Sequence, residues 1–113
     1  MSTGKRILQT YSMITDGDMS GDITGTDINI QNLDNIAIQM VFTGTPTGTF
    51  SVQGSVDNST YIDVTLSPSP VASGSGDSIL INMNNVAFTW IRVKYTRTSG
   101  TGTLNANIVA KAF

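Results

Sequence analysis

The sequence predicts an all-β protein: an antiparallel β-sandwich, jelly-roll-like, with about eight strands. Three observations support this prediction. Apolar and polar residues alternate with a period of two through most of the chain. No window keeps apolar residues at the three- and four-residue spacing of a helix. Short turns rich in Gly, Asn and Pro separate the alternating segments at regular intervals.

Strands are predicted where the alternation is continuous. In the clearest one, Phe50, Val52, Gly54 and Val56 share one face and polar side chains occupy the other. The eight predicted segments are 7–14, 23–30, 36–42, 50–56, 61–66, 78–83, 88–98 and 103–111. Their inward faces predict a core that contains Ile36, Ile38, Met40, Phe42, Phe50, Val52, Ile91, Val93, Leu104 and Ile108.

The connections are predicted from residues that favour turns. Residues 43–48 hold two Gly and one Pro between two strands, which predicts a hairpin loop. Residues 57–59 and 99–102 predict tight turns, and residues 67–77, with two prolines and two glycines, predict a surface loop. We expect residues 1–6 to form an N-terminal arm and residues 7–113 to form a single β-sandwich domain.

The amino-acid composition excludes most kinds of catalytic site. Charged residues make up 12% of the 113 residues, which is about half the usual share, and there is no His, Cys or Glu. No Ser–His–Asp or Cys–His nucleophile and no His/Cys zinc site is therefore available. Asp57 and Asp63 are a conceivable carboxylate pair for glycoside hydrolysis, but Asp is common at turns, and we favour structural roles for both. We expect no enzymatic activity and no cofactor.

Charge and hydropathy limit the kinds of molecule that the protein is expected to bind. The net charge is −2, whereas a nucleic-acid-binding protein needs a basic face, so we expect no nucleic acid. No apolar run approaches the roughly 20 residues of a membrane span, and we expect no membrane insertion. Gln9, Thr10 and Ser12 interrupt the first apolar segment, so we expect no signal peptide.

Residues 16–27 match the spacing of a calcium-binding loop. Side chains with oxygen atoms stand at loop positions one, three and five, Gly stands at six, and an acid stands at twelve. The candidate ligands are Asp16, Asp18, Ser20, Asp22 and Asp27. The twelfth position carries Asp where a longer Glu is usual, and no helices flank the loop. We therefore favour a polar strand–turn–strand segment, with turns at residues 16–17 and 20–21, that holds no metal tightly.

A basic, aromatic-edged stripe is predicted near the C-terminus. Trp90, Arg92 and Lys94 share one face of a predicted strand. The stripe predicts a contact surface for an acidic partner, or for a glycan that stacks on Trp90. For a ligand role we favour the alternative, an ordinary solvated strand face opposite the core, although Trp and Arg are also typical interface anchors. Lys5 and Arg6, in the predicted arm, are the second candidate contact site.

The three tyrosines have two possible roles. An aromatic binding platform with Trp90 would need Tyr11, Tyr61 and Tyr95 on one surface. We favour core or rim positions for at least two of them, because tyrosine is commonly found half-buried.

Four segments resemble small proteins encoded among the virion structural genes of tailed bacteriophages. They are LDNIAIQ (33–39), FTGTPTGTFSVQGS (42–55), ASGSGDS (72–78) and WIRVKYTRTSGTGTLNA (90–106). The resemblance extends over roughly residues 18–111 and consists of strands and turns, without a catalytic signature. It implies a virion component, either a head decoration (cement) protein or a small collar or tail protein.

The resemblance sets the functional expectations. The leading hypothesis is a structural virion protein that stabilises the particle by protein–protein contacts, with itself and a major capsid or other virion protein as partners. We expect a homotrimer, as jelly-roll proteins form in capsids, although dimers are commoner among soluble proteins. We expect synthesis in the host cytoplasm and a final location in the virion. The alternative is a carbohydrate-binding module of jelly-roll type that binds glycan through Trp90 or Tyr61.

Overall fold

The computed structural model describes residues 7–30, 35–64, 66, 70–83, 86 and 88–112. These residues form ten antiparallel strands and no helix, and hence no helix that could span a membrane. The strands are β1 (Ile7–Asp18), β2 (Ile23–Thr24), β3 (Ile28–Asn29), β4 (Asn35–Gly44), β5 (Thr47–Ser55), β6 (Ile62–Val64), β7 (Val71–Ser73), β8 (Asp77–Met83), β9 (Trp90–Ser99) and β10 (Gly102–Ala112). The prediction of an all-β antiparallel sandwich is confirmed.

Two sheets pack face to face. The four-stranded sheet has the order β1-β10-β4-β8. The six-stranded sheet has the order β2-β9-β5-β6, with β3 also paired to β9 and β7 also paired to β5. Among these strands the chain changes sheet six times: at the β1–β2, β3–β4, β4–β5, β7–β8, β8–β9 and β9–β10 connections. Strands that are consecutive in the chain therefore lie mostly in different sheets.

Ten strands form where about eight were expected, because short strands were not visible in the alternation. The predicted segment 23–30 divides into β2 and β3. Between them, the Thr26 N–H donates a hydrogen bond of 3.0 Å to the carbonyl oxygen of Met13 on β1 instead of to β9. Strand β7 forms inside the predicted loop 67–77 and pairs with the start of β5.

The connection predicted as a hairpin loop at residues 43–48 is instead a corner between the sheets. Strand β4 belongs to the four-stranded sheet and β5 to the six-stranded sheet. The Thr45 N–H donates to the carbonyl oxygen of Thr101, 2.8 Å away, which joins this corner to the β9–β10 corner. Gly44, with a φ of 89°, provides the backbone conformation that the corner needs. Turn-forming residues indicate that the chain reverses, but long-range packing decides which sheet the next strand joins.

The core lies between the sheets and contains all ten residues predicted for it, none more than 3% exposed. The Phe50 ring packs against Phe42 and Tyr95, with ring centres 5.3 and 5.1 Å apart. The prediction that Val56 extends the inward face of β5 is wrong. Strand β5 ends at Ser55, and Val56 is 76% exposed.

Strand β1 departs from simple alternation. Met13 and Ile14 are adjacent and both buried, because the register against β10 shifts between Ser12 and Ile14. A second shift follows before Gly17, and Asp16 has a φ of 50°. Asp16 and Gly17 therefore lie within an irregular strand, and the turn expected at these two residues is wrong.

Candidate functional site

The outer surface of the six-stranded sheet carries a cluster of aromatic, basic and acidic side chains, which we call the Arg92 face. It consists of Asp27, Gln53, Tyr61, Asp63, Trp90, Arg92 and Lys94. Strand β9 builds its centre. Ile91, Val93 and Tyr95 point into the core with no measurable exposure. Trp90, Arg92 and Lys94 therefore point outwards and are half-buried, as the alternation along β9 requires.

The Arg92 guanidinium has three kinds of neighbour. Its Nε donates a hydrogen bond of 2.8 Å to Oε1 of Gln53, the residue directly opposite on β5. Its Nη1 lies 3.7 Å from Oδ1 of Asp27. Its central carbon lies 3.9 Å from the centre of the Tyr61 ring, a cation–π contact. These contacts hold a long, flexible side chain in one orientation.

Gln53 extends the network to the edge of the sheet. Its Nε2 donates 2.8 Å to Oδ1 of Asp63, which is its register partner on β6. Arg92, Gln53 and Asp63 thus form a chain of polar contacts across three strands. The positive charge is balanced by an acidic side chain on each side, one from Asp27 and one through Gln53.

Contacts to both the ring and the hydroxyl hold the Tyr61 side chain in place. Its ring lies against Arg92, and its hydroxyl donates to Oδ1 of Asn58. Partial burial raises the pKa of Tyr61, the nearby Asp27 carboxylate raises it further, and Arg92 acts in the opposite direction. The hydroxyl therefore stays protonated at neutral pH and remains a hydrogen-bond donor.

Trp90 stands beside a braced turn. Its register partner on β5 is Ser55, which is only 4% exposed. The Ser55 hydroxyl donates to Oδ1 of Asp57 at 2.9 Å and accepts from the backbone N–H groups of Asp57 and Asn58. On the other side Trp90 pairs with Asn29 of β3. Trp90 therefore lies on a central strand, paired with a strand on each side.

Lys94 supplies a second positive charge on the Arg92 face. Its register partners are Ser51 and Thr24, neither of which is charged. Within the described ranges, the ion pair formed is that of Arg92 with Asp27, and Lys94 has none. The Lys94 charge is therefore available to an acidic group on another molecule.

Asp57 and Asp63 are both used structurally. They line an open groove of about 380 Å³ whose other walls are mainly apolar, including Ile62 and Phe88. Hydrogen bonds from the backbone N–H groups of Thr60 and Ser59 and from the Ser55 hydroxyl lower the pKa of Asp57. A glycosidase acid needs a raised pKa, so this environment opposes the carboxylate-pair hypothesis.

The candidate calcium ligands have separate partners. Asp18 accepts from the N–H and hydroxyl of Ser20, and these bonds lower its pKa. Asp22 accepts from the Arg97 N–H at 2.8 Å, and Asp27 pairs with Arg92. Among residues with described placement, no group of three acidic side chains could surround one metal ion. The arrangement is that of a braced turn.

The tyrosines do not form one surface. Tyr95 is fully buried, and burial raises its pKa. Tyr11 packs against the core from β1, whereas Tyr61 belongs to the Arg92 face. The remaining candidates, Lys5 and Arg6, lie outside the described residues.

The alternation along β9 predicts that Trp90, Arg92 and Lys94 share one face, but it does not predict their neighbours Gln53, Tyr61 and Asp63. The register of β5 against β9 and β6 makes that connection. The pattern of a single strand carries no information about register. A Gln directly opposite an Arg on paired strands would have been the signal once the pairing was known.

Several prophage and viral proteins share this fold. The SPBc2 prophage-derived protein YomS superposes with a TM-score of 0.64 at 7% identity, covering 96% of this chain and 98% of YomS. The PBSX exported protein XepA gives 0.67 at 12% identity, covering 99% of this chain and 40% of XepA. VP2 from a subviral particle of infectious bursal disease virus gives 0.65 at 12% identity, covering 98% of this chain and 33% of VP2.

The structural similarity covers the whole of one of these proteins and only part of the other two. This chain matches nearly all of YomS but less than half the length of XepA and VP2. No family model matches the sequence, and no curated protein matches it in sequence. At identities this low, the similarity establishes a shared fold.

Proposed function

We propose that this chain is a structural protein of a virus particle, a decoration or cementing protein of a tailed bacteriophage. Its Arg92 face attaches to an acidic patch on a neighbouring virion protein. The observation that carries this proposal is the orientation of Arg92, which is held by Gln53, Asp27 and Tyr61 on a sheet surface that it shares with Trp90 and Lys94.

The composition of the face is that of a protein-binding surface. Trp, Tyr and Arg are the residues most often found as energetic anchors of interfaces. Anchors that are already ordered lose less side-chain entropy on binding, which costs about 0.5–1.5 kcal/mol for each immobilised long side chain. Arg92 is already held in place, and Lys94 forms no ion pair with the residues that the structure describes. An acidic patch would therefore gain one fixed and one mobile cationic contact.

The shared fold supports the proposal. YomS is described as prophage-derived, and VP2 was solved as a subviral particle. A domain with this fold thus occurs in VP2 of that subviral particle. On a particle surface, many copies of one weak contact would also give strong overall attachment.

The carbohydrate-binding alternative has less support from the geometry. The Arg92 guanidinium covers one side of the Tyr61 ring, so that side is closed to a sugar. Trp90 is then left as the stacking surface of the Arg92 face. A glycan site that relies on Trp90 would respond to Trp90→Ala but not to the loss of the Arg92 charge.

Binding to particles tests the proposal. Particles that lack the protein would be mixed with purified wild-type chain, Trp90→Ala or Arg92→Ala, and the bound fraction would be measured after sedimentation. We expect each variant to bind at least about tenfold more weakly, as for anchor residues elsewhere. Arg97→Ala is the matched control, because it removes an exposed cation from the same strand outside the Arg92 face. Equal binding of wild type, Trp90→Ala and Arg92→Ala would contradict the proposal.

A further inference from the structure

Strand β8 forms an edge of the four-stranded sheet. It pairs with β4 along its whole length, from Phe42 opposite Asp77 to Ile36 opposite Met83. Its other side has no strand partner among the residues whose placement is described. A row of backbone N–H and C=O groups is therefore directed away from the sheet.

This edge lacks the usual protection. Natural edge strands are short, bulged, or carry Lys or Pro, which prevents pairing with another chain. Strand β1, at the opposite edge of the same sheet, has two register shifts. In the six-stranded sheet, β2 has two residues and β6 has three. Strand β8 has seven residues in unbroken register, with the sequence DSILINM and a single charge at its first position.

The core-facing side chains of β8 are incompletely buried. Ile79, Ile81 and Met83 face the core but are only half-buried, whereas Ile36 and Ile38, their neighbours on β4, are at most 3% exposed. On the outer face of β8, Leu80 is 64% exposed. Apolar surface therefore remains uncovered on both faces of this edge, and an added strand would cover it.

The strand is complementary to itself. A two-fold axis at Leu80, the central residue, would pair all seven positions of two antiparallel copies. Ile79 would face Ile81 of the second copy on the core side, and Ser78 would face Asn82 on the outer side. The two Asp77 carboxylates would lie at opposite ends, each beside a Met83. The central apolar residues would thus meet apolar ones, and no like charges would be opposed.

We propose that two copies of this chain pair through β8, antiparallel and centred on Leu80, so that their four-stranded sheets join into one continuous sheet. The contact is isologous and closes as a dimer, unlike the trimer expected from the sequence. It uses the opposite sheet from the Arg92 face and does not rest on the proposed function. In a dimer, two Arg92 faces would be presented together.

Sedimentation equilibrium of the full chain and two charge variants tests the pairing. Wild type is expected at twice its mass of 12.0 kDa. Leu80→Lys and Leu80→Asp are each expected to lose the dimer, because like charges would face each other across the axis, and an equimolar mixture is expected to recover it. Val109→Lys, on an exposed site of the same sheet face, is expected to remain dimeric. A monomeric wild type, or a trimer unaffected by Leu80→Lys, would overturn the proposal.

A cysteine tests the register. The chain has no Cys, so Leu80→Cys introduces the sole thiol. Directly opposed residues on antiparallel strands have Cβ atoms about 4.5–5.5 Å apart, close enough for a disulfide after a small adjustment. Mild oxidation is expected to give a covalent dimer with Leu80→Cys and none with Val109→Cys. If both cysteine variants cross-link equally, or neither does, pairing at Leu80 is excluded.

Discussion

The Arg92 guanidinium lies over the ring of Tyr61, with 3.9 Å between the guanidinium carbon and the ring centre. Arg92 belongs to a central strand, whereas Tyr61 precedes the short strand β6 at the edge of the same sheet. The contact therefore fastens the β5–β6 connection to the middle of the sheet. It also gives the Arg92 face its fixed shape.

Removing the Tyr61 ring is expected to lower stability modestly. Tyr61→Leu should reduce the free energy of unfolding by about 0.5–1 kcal/mol, the usual size of a partly exposed cation–π contact. Tyr61→Phe keeps the ring and should lose less. Urea denaturation of the three proteins measures the difference. If Tyr61→Leu matches wild type, the contact contributes nothing to stability.

Truncation of Phe50 is expected to be far more damaging. Phe50→Ala should cost about 3–5 kcal/mol, because the ring is buried between Phe42 and Tyr95. Val56→Ala is the control on the same stretch of chain. Val56 is 76% exposed, and its truncation should change stability by less than about 0.5 kcal/mol. Comparable losses in the two variants would contradict the boundary of β5 at Ser55.

Gly54 is expected to resist substitution because of a close contact in the core. A Cβ at this position would lie 2.8 Å from the Phe88 ring, well inside van der Waals contact. Gly54→Ala should therefore cost about 1–3 kcal/mol by overpacking, and Phe88→Leu in the same chain should relieve part of the loss. Gly21→Ala, where a Cβ meets nothing within 4 Å, is the matched control. Thermal unfolding of wild type and these three variants measures the differences, and equal melting temperatures for Gly54→Ala and Gly21→Ala would contradict the close contact.

Asp57 is expected to make the folded protein less stable as the pH falls into the acid range. Its pKa is lowered in the folded protein, so the unfolded chain binds the proton first as the pH falls. Its stabilisation is complete above the unfolded pKa of about 3.9 and is lost as the pH falls through the lower, folded pKa. Melting temperatures between pH 7 and pH 2 should therefore fall less steeply for Asp57→Asn than for wild type. Parallel curves would show that Asp57 does not contribute.

Calcium is expected to leave the protein unchanged. The carboxylates of Asp18, Asp22 and Asp27 are engaged with Ser20, Arg97 and Arg92 in turn, rather than directed at one point. A site saturated at a hundred times its dissociation constant would raise stability by about 2.7 kcal/mol. We expect no rise in melting temperature when Ca²⁺ replaces EDTA. A rise that disappears in Asp16→Asn would show that the segment binds the ion.

The core residues could be predicted from the sequence because alternate side chains along a regular strand point to the same face. Period-two alternation identified the inward residues of β4, β5, β9 and β10, and these residues fill the core. The rule failed where the backbone itself is irregular. At Met13 and Ile14, a register shift turns two adjacent side chains inwards, and no residue type announces such a shift.

The candidate site was only partly visible in the sequence for a different reason. The positions of Trp90, Arg92 and Lys94 on one face follow from a single strand. Their partners depend on which strand lies beside β9 and in which register, and a corner at residues 43–48 decides that β5 joins this sheet. Distant packing sets these choices, so the contact of Arg92 with Gln53 emerges only in three dimensions.

The most direct test of the central claim is the amount of this chain in purified virus particles. Particles produced by the genome that encodes the chain would be banded on a density gradient, and the chain would be quantified by mass spectrometry relative to the major capsid protein. The account predicts that it bands with the particles at a fixed, high copy number. Its presence in the lysate but absence from the banded particles would contradict a structural role in the virion.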